Sequence, residues 1–122
     1  MTARILIIED EEEFVWLLRR KLEKEGYDIV SASDGVSGLE LVQKKEPNLV
    51  LLDVMMPRMN GWELSRIIKE RSPDTPVVVI SGSYDDKLWE KVNMNWVDAI
   101  FIKPFKPEEI EGAVRRLLNR GI

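Results

Sequence analysis

The 122-residue sequence contains no cysteine and no histidine. The absence of cysteine excludes disulfide bonds and thiolate nucleophiles, and the absence of histidine excludes a Ser-His catalytic triad. A zinc site built from thiolate or imidazole ligands is excluded as well. Any metal bound by this chain must therefore be held by oxygen ligands, which is typical of Mg²⁺, Mn²⁺ and Ca²⁺.

The sequence also has no long hydrophobic run, because no segment reaches the roughly 18 apolar residues of a membrane-spanning helix. Its start, MTARILIIEDEEE, becomes acidic too early for a signal peptide. The net charge of −4 argues against a nucleic-acid surface, which needs clustered lysine and arginine. With 44% hydrophobic and 33% charged residues, we expect one soluble, cytoplasmic domain over residues 1–122, binding neither nucleic acid nor membrane.

Five short apolar segments alternate with five amphipathic segments along the chain. The apolar segments, typical of buried strands, are RILIIED, YDIVSA, NLVLLD, VVVISG and AIFIKPF. The predicted helices are EEEFVWLLRRKLEKEG, SDGVSGLELVQKKEP with Asp34 as its cap, GWELSRIIKERSP, SYDDKLWEKVNMN and a last helix opened by Pro107. This strict alternation predicts an α/β fold, a doubly wound parallel sheet of five strands with five helices on its two faces.

Polar side chains stand where four of the predicted strands end. Glu9 and Asp10 follow the first strand, and Asp53 ends the third. Ser81 ends the fourth strand and Lys103 follows the fifth. Ligands of open α/β sheets bind at the carboxyl ends of the strands, so we expect these groups to meet there. Three crowded carboxylates need protons or a cation, and Mg²⁺ commonly binds carboxylates together with water and phosphate oxygens.

This set of side chains suits phosphoryl transfer to an aspartate. Asp53 is the candidate nucleophile, Lys103 supplies a fixed positive charge, and Ser81 supplies a hydroxyl donor. Each signal alone has an ordinary explanation. The acidic run Glu9–Glu13 is typical of a solvated face, Lys103 of a surface lysine and Ser81 of a turn. Their joint placement at one edge of the sheet favours a functional site.

With these residues the chain resembles the response-regulator receiver domain, the phosphoacceptor module of two-component signalling. The resemblance extends from Arg4 to about Asn119. It implies a flavodoxin-like fold with the strand order 2-1-3-4-5 of the chemotaxis regulator. The matching motifs are the acidic pair Glu9-Asp10, D-x-x-M-P-x-M-x-G from Asp53 to Gly61, Ser81 followed by Gly82, and K-P-F from Lys103 to Phe105.

The resemblance implies a metal site. Asp10 and Asp53 would ligate Mg²⁺ directly, together with the main-chain carbonyl of Met55. Glu9 matches the other acidic position of the family and would act through water. Gly61, together with Pro57, would shape the loop after the aspartate, using φ values closed to other residues.

The resemblance also implies a phosphorylation switch. Asp53 would accept a phosphoryl group from the phosphohistidine of a histidine kinase or phosphotransfer protein. Lys103 would pair with that group, and Ser81 would move toward it as the switch hydroxyl. The chain would catalyse only its own phosphorylation and dephosphorylation and act by binding partners, so it would not be an enzyme in the usual sense.

Three sets of aromatic and aliphatic residues bear on signalling and docking. Receivers usually have Tyr or Phe three residues before the lysine, whereas this chain has Ile100, with Phe101 facing the opposite side of the strand. On the first helix, Trp16 and Leu17 are predicted to face solvent, where the family commonly docks its kinase. In the helix predicted at 83–95 and directly after it lie three apolar residues that would form a partner surface or a dimer patch, or pack onto the core: Trp89, Met94 and Trp96.

Two other functions remain open from the sequence. A degenerate receiver would keep the fold as a constitutive binding module, and only Ile100 favours it. A Mg²⁺-dependent aspartyl-phosphate hydrolase commonly has a second acid two residues after its nucleophile. Here that position is Met55.

Overall fold

The computed structural model describes residues 2–56, 60–82 and 95–119. Five strands and four helices lie within these ranges. In chain order they are β1 (Arg4–Ile8), α1 (Glu12–Lys24), β2 (Asp28–Ala32), α2 (Gly35–Lys45), β3 (Leu49–Asp53), α3 (Gly61–Arg71), β4 (Val77–Ser81), β5 (Ala99–Ile102) and α4 (Pro107–Asn119). The fifth predicted helix, at 83–95, falls almost entirely on residues 83–94, which lie outside the described residues.

All strand pairs are parallel, and the sheet has the order β2-β1-β3-β4-β5, which confirms the predicted topology. Successive residues of β1 point to opposite faces: Leu6 and Ile8 pack with α2 and α3, whereas Ile5 and Ile7 pack with α1 and α4. All five residues of β3 are buried, as a strand covered on both faces requires. Among the described helices, none has the length and apolar composition needed to span a bilayer.

Side-chain caps define where two of the helices begin. The predicted cap Asp34 accepts a 2.8 Å hydrogen bond from the backbone N–H of Ser37. Asn60 Oδ1 accepts hydrogen bonds from the backbone N–H groups of Trp62 and Glu63, at 3.1 and 3.2 Å. These bonds fix the start of α3 directly after the segment that follows β3.

Gly61 is required by close packing, which corrects the predicted reason for it. It is the first residue of α3, and positive φ among the described glycines occurs only at Gly26. A Cβ at Gly61 would meet the Cα of Val54 and lie only 2.7 Å from its Cβ. The start of α3 therefore packs against the backbone that follows β3, and no side chain fits between them.

We predict that Gly61→Ala lowers the free energy of unfolding by about 1–3 kcal/mol, because the added methyl group meets backbone that cannot move aside. Gly112→Ala is the matched control, since a Cβ at that position in α4 has no neighbour within 4 Å. The control should stabilise the protein by up to about 1 kcal/mol, through the helix propensity of alanine. Urea denaturation measures both changes, and equal effects of the two substitutions would contradict the packing argument.

Candidate functional site

Three carboxylates meet beyond the carboxyl ends of β1 and β3. The strand register pairs Ile8 with Leu52, so the next residues, Glu9 and Asp53, are neighbours across the strands. Glu9, Asp10 and Asp53 each offer an oxygen within 4.8 Å of the other two. Glu9 and Asp53 are only 2% and 4% exposed, whereas Asp10 is exposed. We call these three residues the acidic cluster.

The carboxylate of Asp53 has a fixed orientation. Its Oδ1 accepts a 2.8 Å hydrogen bond from the backbone N–H of Met55, two residues further on, where the chain leaves β3. Its Oδ2 lies 3.8 Å from Lys103 Nζ. The same hydrogen bond holds the backbone of Met55 beside the acidic cluster, while the Met55 side chain is exposed.

Lys103 is the cation of the site. Its Nζ lies 2.9 Å from Glu11 Oε2, 3.3 Å from Glu9 Oε1 and 4.3 Å from the ring centroid of Phe14. Partial burial lowers the pKa of Lys103, but the hydrogen bond with Glu11 and the charges of Glu9 and Asp53 outweigh it and raise that pKa above its ordinary value. The ammonium group therefore stays charged at neutral pH.

Ser81 lies at the same edge of the sheet. It is completely buried at the end of β4, and its backbone carbonyl accepts a 2.8 Å hydrogen bond from the N–H of Lys103. The register pairs Asp53 with Ile80, so Ser81 is one residue further along the neighbouring strand. All the predicted site residues are thus brought to one edge: Glu9, Asp10, Asp53, Met55, Ser81 and Lys103.

The acidic cluster has more negative charge than the fold itself neutralises. Burial, followed by the neighbouring Asp53, raises the pKa of Glu9 to about 8, although Lys103 acts in the opposite direction. Glu9 Oε2 is buried and has no hydrogen-bond partner among the described residues. Such an oxygen needs either a proton or a cation. A cluster of carboxylate oxygens at this spacing fits a hard divalent ion such as Mg²⁺.

Two residues at the site were not predicted from the sequence. Glu11 and Phe14 contact Lys103 from the start of α1, about 90 positions away in the sequence. The ring of Phe14 also packs edge-on against Phe105, with centroids 5.4 Å apart. The only sequence signal for Glu11 was its place in an acidic run, which does not distinguish it from its neighbours.

The other residues singled out from the sequence lie where they were predicted, wherever the structure describes them. Ile100 packs on the face of α2 and α3, whereas Phe101 packs on the opposite face, 5.8 Å from the ring of Phe105. On α1, Trp16 and Leu17 are 55% and 49% exposed, and the guanidinium of Arg20 lies over the Trp16 ring. Trp96 packs against the same hydrophobic cluster as Ile100, on the face of α2 and α3. The remaining predicted residues lie outside the described residues: Pro57, Trp89 and Met94.

The raised pKa of Glu9 predicts a pH dependence of stability. Folded Glu9 keeps its proton up to about pH 8, whereas unfolded Glu9 releases it near the ordinary value of 4.5. The unfolded state binds fewer protons between these values, so the free energy of unfolding falls as pH rises across that window. Glu9→Gln stays neutral and should lose this decline, as measured by urea denaturation in EDTA. A difference between variant and wild type that stays constant with pH would contradict a protonated Glu9.

The chain matches known proteins over almost its whole length. The family model of the response regulator receiver domain matches residues 5–115. The chain is 32% identical to the alkaline phosphatase synthesis transcriptional regulatory protein PhoP of Bacillus subtilis (strain 168), over 99% of this chain and 50% of that protein. It is 37% identical to the response regulator MprA of Mycobacterium sp. (strain KMS), over 98% and 52%. The chain therefore spans about half the length of these curated relatives.

Solved structures agree with this match. The response regulator receiver domain protein (CheY-like) from Methanospirillum hungatei JF-1 superposes with a TM-score of 0.92 at 25% identity, covering 98% of this chain and 96% of that one. The family model covers every described strand but the first residue of β1, and the two relatives extend over nearly the entire chain. The protein belongs to the response regulator receiver domain family of two-component signalling.

Proposed function

We propose that this receiver domain accepts a phosphoryl group on Asp53 in a Mg²⁺-dependent reaction, and that the donor is a histidine kinase or phosphotransfer protein. The observation that supports this most strongly is the setting of Asp53. Its buried carboxylate lies between two further carboxylates, Glu9 and Asp10, and the ammonium group of Lys103, 3.8 Å from Oδ2. A nucleophile, a metal-binding set and a cation are the groups that phosphoryl transfer needs.

Oδ2 of Asp53 is the proposed nucleophilic atom. Oδ1 is occupied by the N–H of Met55, and this bond turns Oδ2 toward Lys103. Oδ2 forms the new O–P bond while the N–P bond of the phosphohistidine breaks, and the electron pair returns to the imidazole nitrogen. Lys103 is placed to stabilise the charge on the transferred oxygens, and Ser81 supplies a hydroxyl at the neighbouring strand end.

Glu9, Asp10 and Asp53 would hold the Mg²⁺ ion, with the main-chain carbonyl of Met55 as a further ligand and Glu9 acting through water. When bound, the ion neutralises charge on the phosphoryl oxygens. Without it, Glu9 retains a proton in a site where its burial disfavours the charged form. The oxygen-only donor set of this chain supports the choice of a hard divalent ion.

The proposed output is a change in partner binding. The exposed Trp16 and Leu17 on α1 are the proposed kinase-docking surface, because they lie on the helix that begins directly after the acidic cluster. The curated relatives include a transcriptional regulatory protein about twice as long as this chain. We therefore propose that this domain regulates by protein contacts, without binding nucleic acid itself.

A degenerate receiver is the second candidate function, and Ile100 is the observation that favours it. Ile100 packs on the core face of α2 and α3 in place of the usual aromatic residue. That residue takes no part in the proposed chemistry, so its loss bears on signal output and not on phosphorylation. A hydrolase is disfavoured, because the position two residues after Asp53 holds the exposed Met55 and no acid.

We predict that Asp53→Asn abolishes phosphorylation. Intact mass after incubation with Mg²⁺ and acetyl phosphate should show one added phosphoryl group on the wild type, and none on the variant or in EDTA. The variant should also be more stable without metal, by on the order of 1 kcal/mol, because the charge of Asp53 that disfavours ionisation of the buried Glu9 is removed. An unmodified wild type that also fails to bind beryllofluoride would establish the degenerate receiver.

We predict that Lys103→Ala slows phosphoryl transfer without weakening Mg²⁺ binding. Removing a cation 3.8 Å from Asp53 should leave Mg²⁺ affinity unchanged or higher, because the acidic cluster loses its internal counter-charge. Phosphorylation should slow by about tenfold or more, because one group that stabilises the transferred oxygens is gone. Isothermal titration calorimetry measures Mg²⁺ binding, and a time course of intact mass measures transfer. Loss of Mg²⁺ binding in this variant would contradict the assigned roles.

A further inference from the structure

The carboxylate nearest to Lys103 is not in the acidic cluster. Lys103 Nζ lies 2.9 Å from Glu11, against 3.3 Å from Glu9 and 3.8 Å from Asp53. The ring of Phe14 lies under the ammonium group at 4.3 Å. Both unpredicted contacts belong to the start of α1, so Lys103 rests displaced from Asp53 toward that helix.

The side chain of Glu11 does not cap its helix, unlike the N-cap side chains of α2 and α3. Glu11 occupies the N-cap position of α1, but its side chain makes no capping hydrogen bond. Asp34 and Asn60, at the same position of α2 and α3, do bind the N–H groups of their helices. The Glu11 side chain is 65% exposed, and its polar contact is Lys103. Its removal therefore leaves no buried group unpaired.

We propose that Glu11 is a positioning residue that holds Lys103 away from Asp53 in the resting protein and thereby slows phosphorylation. This inference rests on the proposed function. A phosphoryl group on Oδ2, which now lies 3.8 Å from Nζ, brings new acceptor oxygens to the ammonium group, and pairing with them draws Lys103 away from Glu11. Glu11 competes with the incoming phosphoryl oxygens for the same ammonium group.

The strength of this competition follows from exposure. The two partners are 65% and 23% exposed, and ion pairs in that setting are weak. Breaking one such contact on the way to the transition state changes a rate by about two- to fivefold. Glu11 thus slows phosphorylation moderately, and its effect on the rate is smaller than the effect of removing Lys103.

The test compares Glu11→Gln with Glu12→Gln. The second variant makes the same charge change one residue further on, at a side chain with no ion pair among the described residues. With Mg²⁺ and acetyl phosphate, a time course of intact mass should show Glu11→Gln phosphorylated about two- to fivefold faster than wild type. Glu12→Gln should remain within about 1.5-fold of wild type. Equal rates for the two variants, or a slower Glu11→Gln, would overturn the inference.

A double-variant comparison shows whether Glu11 acts through Lys103. In a Lys103→Ala background, Glu11→Gln should leave the slow residual rate unchanged, because the side chain it competes for is absent. The same acceleration in that background would mean that Glu11 repels the anionic donor directly, and would refute the positioning role. A wild type that takes up no phosphoryl group would refute the proposed function and this inference together. A phosphorylated wild type with equal Glu11→Gln and Glu12→Gln rates would refute this inference alone.

Discussion

The close approach of the buried carboxylates of Glu9 and Asp53 is the constraint on which the rest of the site depends. The parallel register of β1 and β3 makes these residues neighbours, and the two strands, buried over Ile5–Ile8 and Leu49–Asp53, cannot separate to relieve their repulsion. The hydrophobic core therefore sets the electrostatic problem of the site. Apolar burial on both faces of the sheet stabilises the fold, and this stabilisation is far larger than the destabilisation caused by repulsion between two carboxylates.

Only part of this charge is compensated by the protein. Lys103 is the single cation that the described residues bring to the acidic cluster, and it is shared with Glu11 outside that cluster. Glu9 therefore keeps a proton when no ion is bound, with its pKa raised first by burial. Under the proposed function, a divalent cation and an anionic phosphoryl group would bind this site together, since each brings the charge that the other needs.

The sequence predicted the parts of the site that depend on strand ends, because parallel topology brings the carboxyl ends of all strands to one edge. That reasoning located Glu9, Asp53 and Lys103 together. It did not locate Glu11, because its contact with Lys103 depends on how far two flexible side chains reach across the gap between α1 and β5. The reason for Gly61 was also wrong, since a close approach between α3 and Val54 has no local sequence signal.

The aromatic contact of Lys103 lies on the face of the sheet that is covered by α1 and α4. Its ammonium group rests on Phe14, which packs against Phe105, and Phe105 packs against Phe101. These rings lie on the face of α1 and α4, whereas Ile100 lies on the face of α2 and α3. The position three residues before the lysine, where receivers usually have an aromatic residue, thus holds an aliphatic one, while the ring of Phe14 connects the lysine to α1. Movement of Lys103 toward Asp53 would weaken its contacts with Glu11 and Phe14 at the start of α1, the same helix that exposes Trp16.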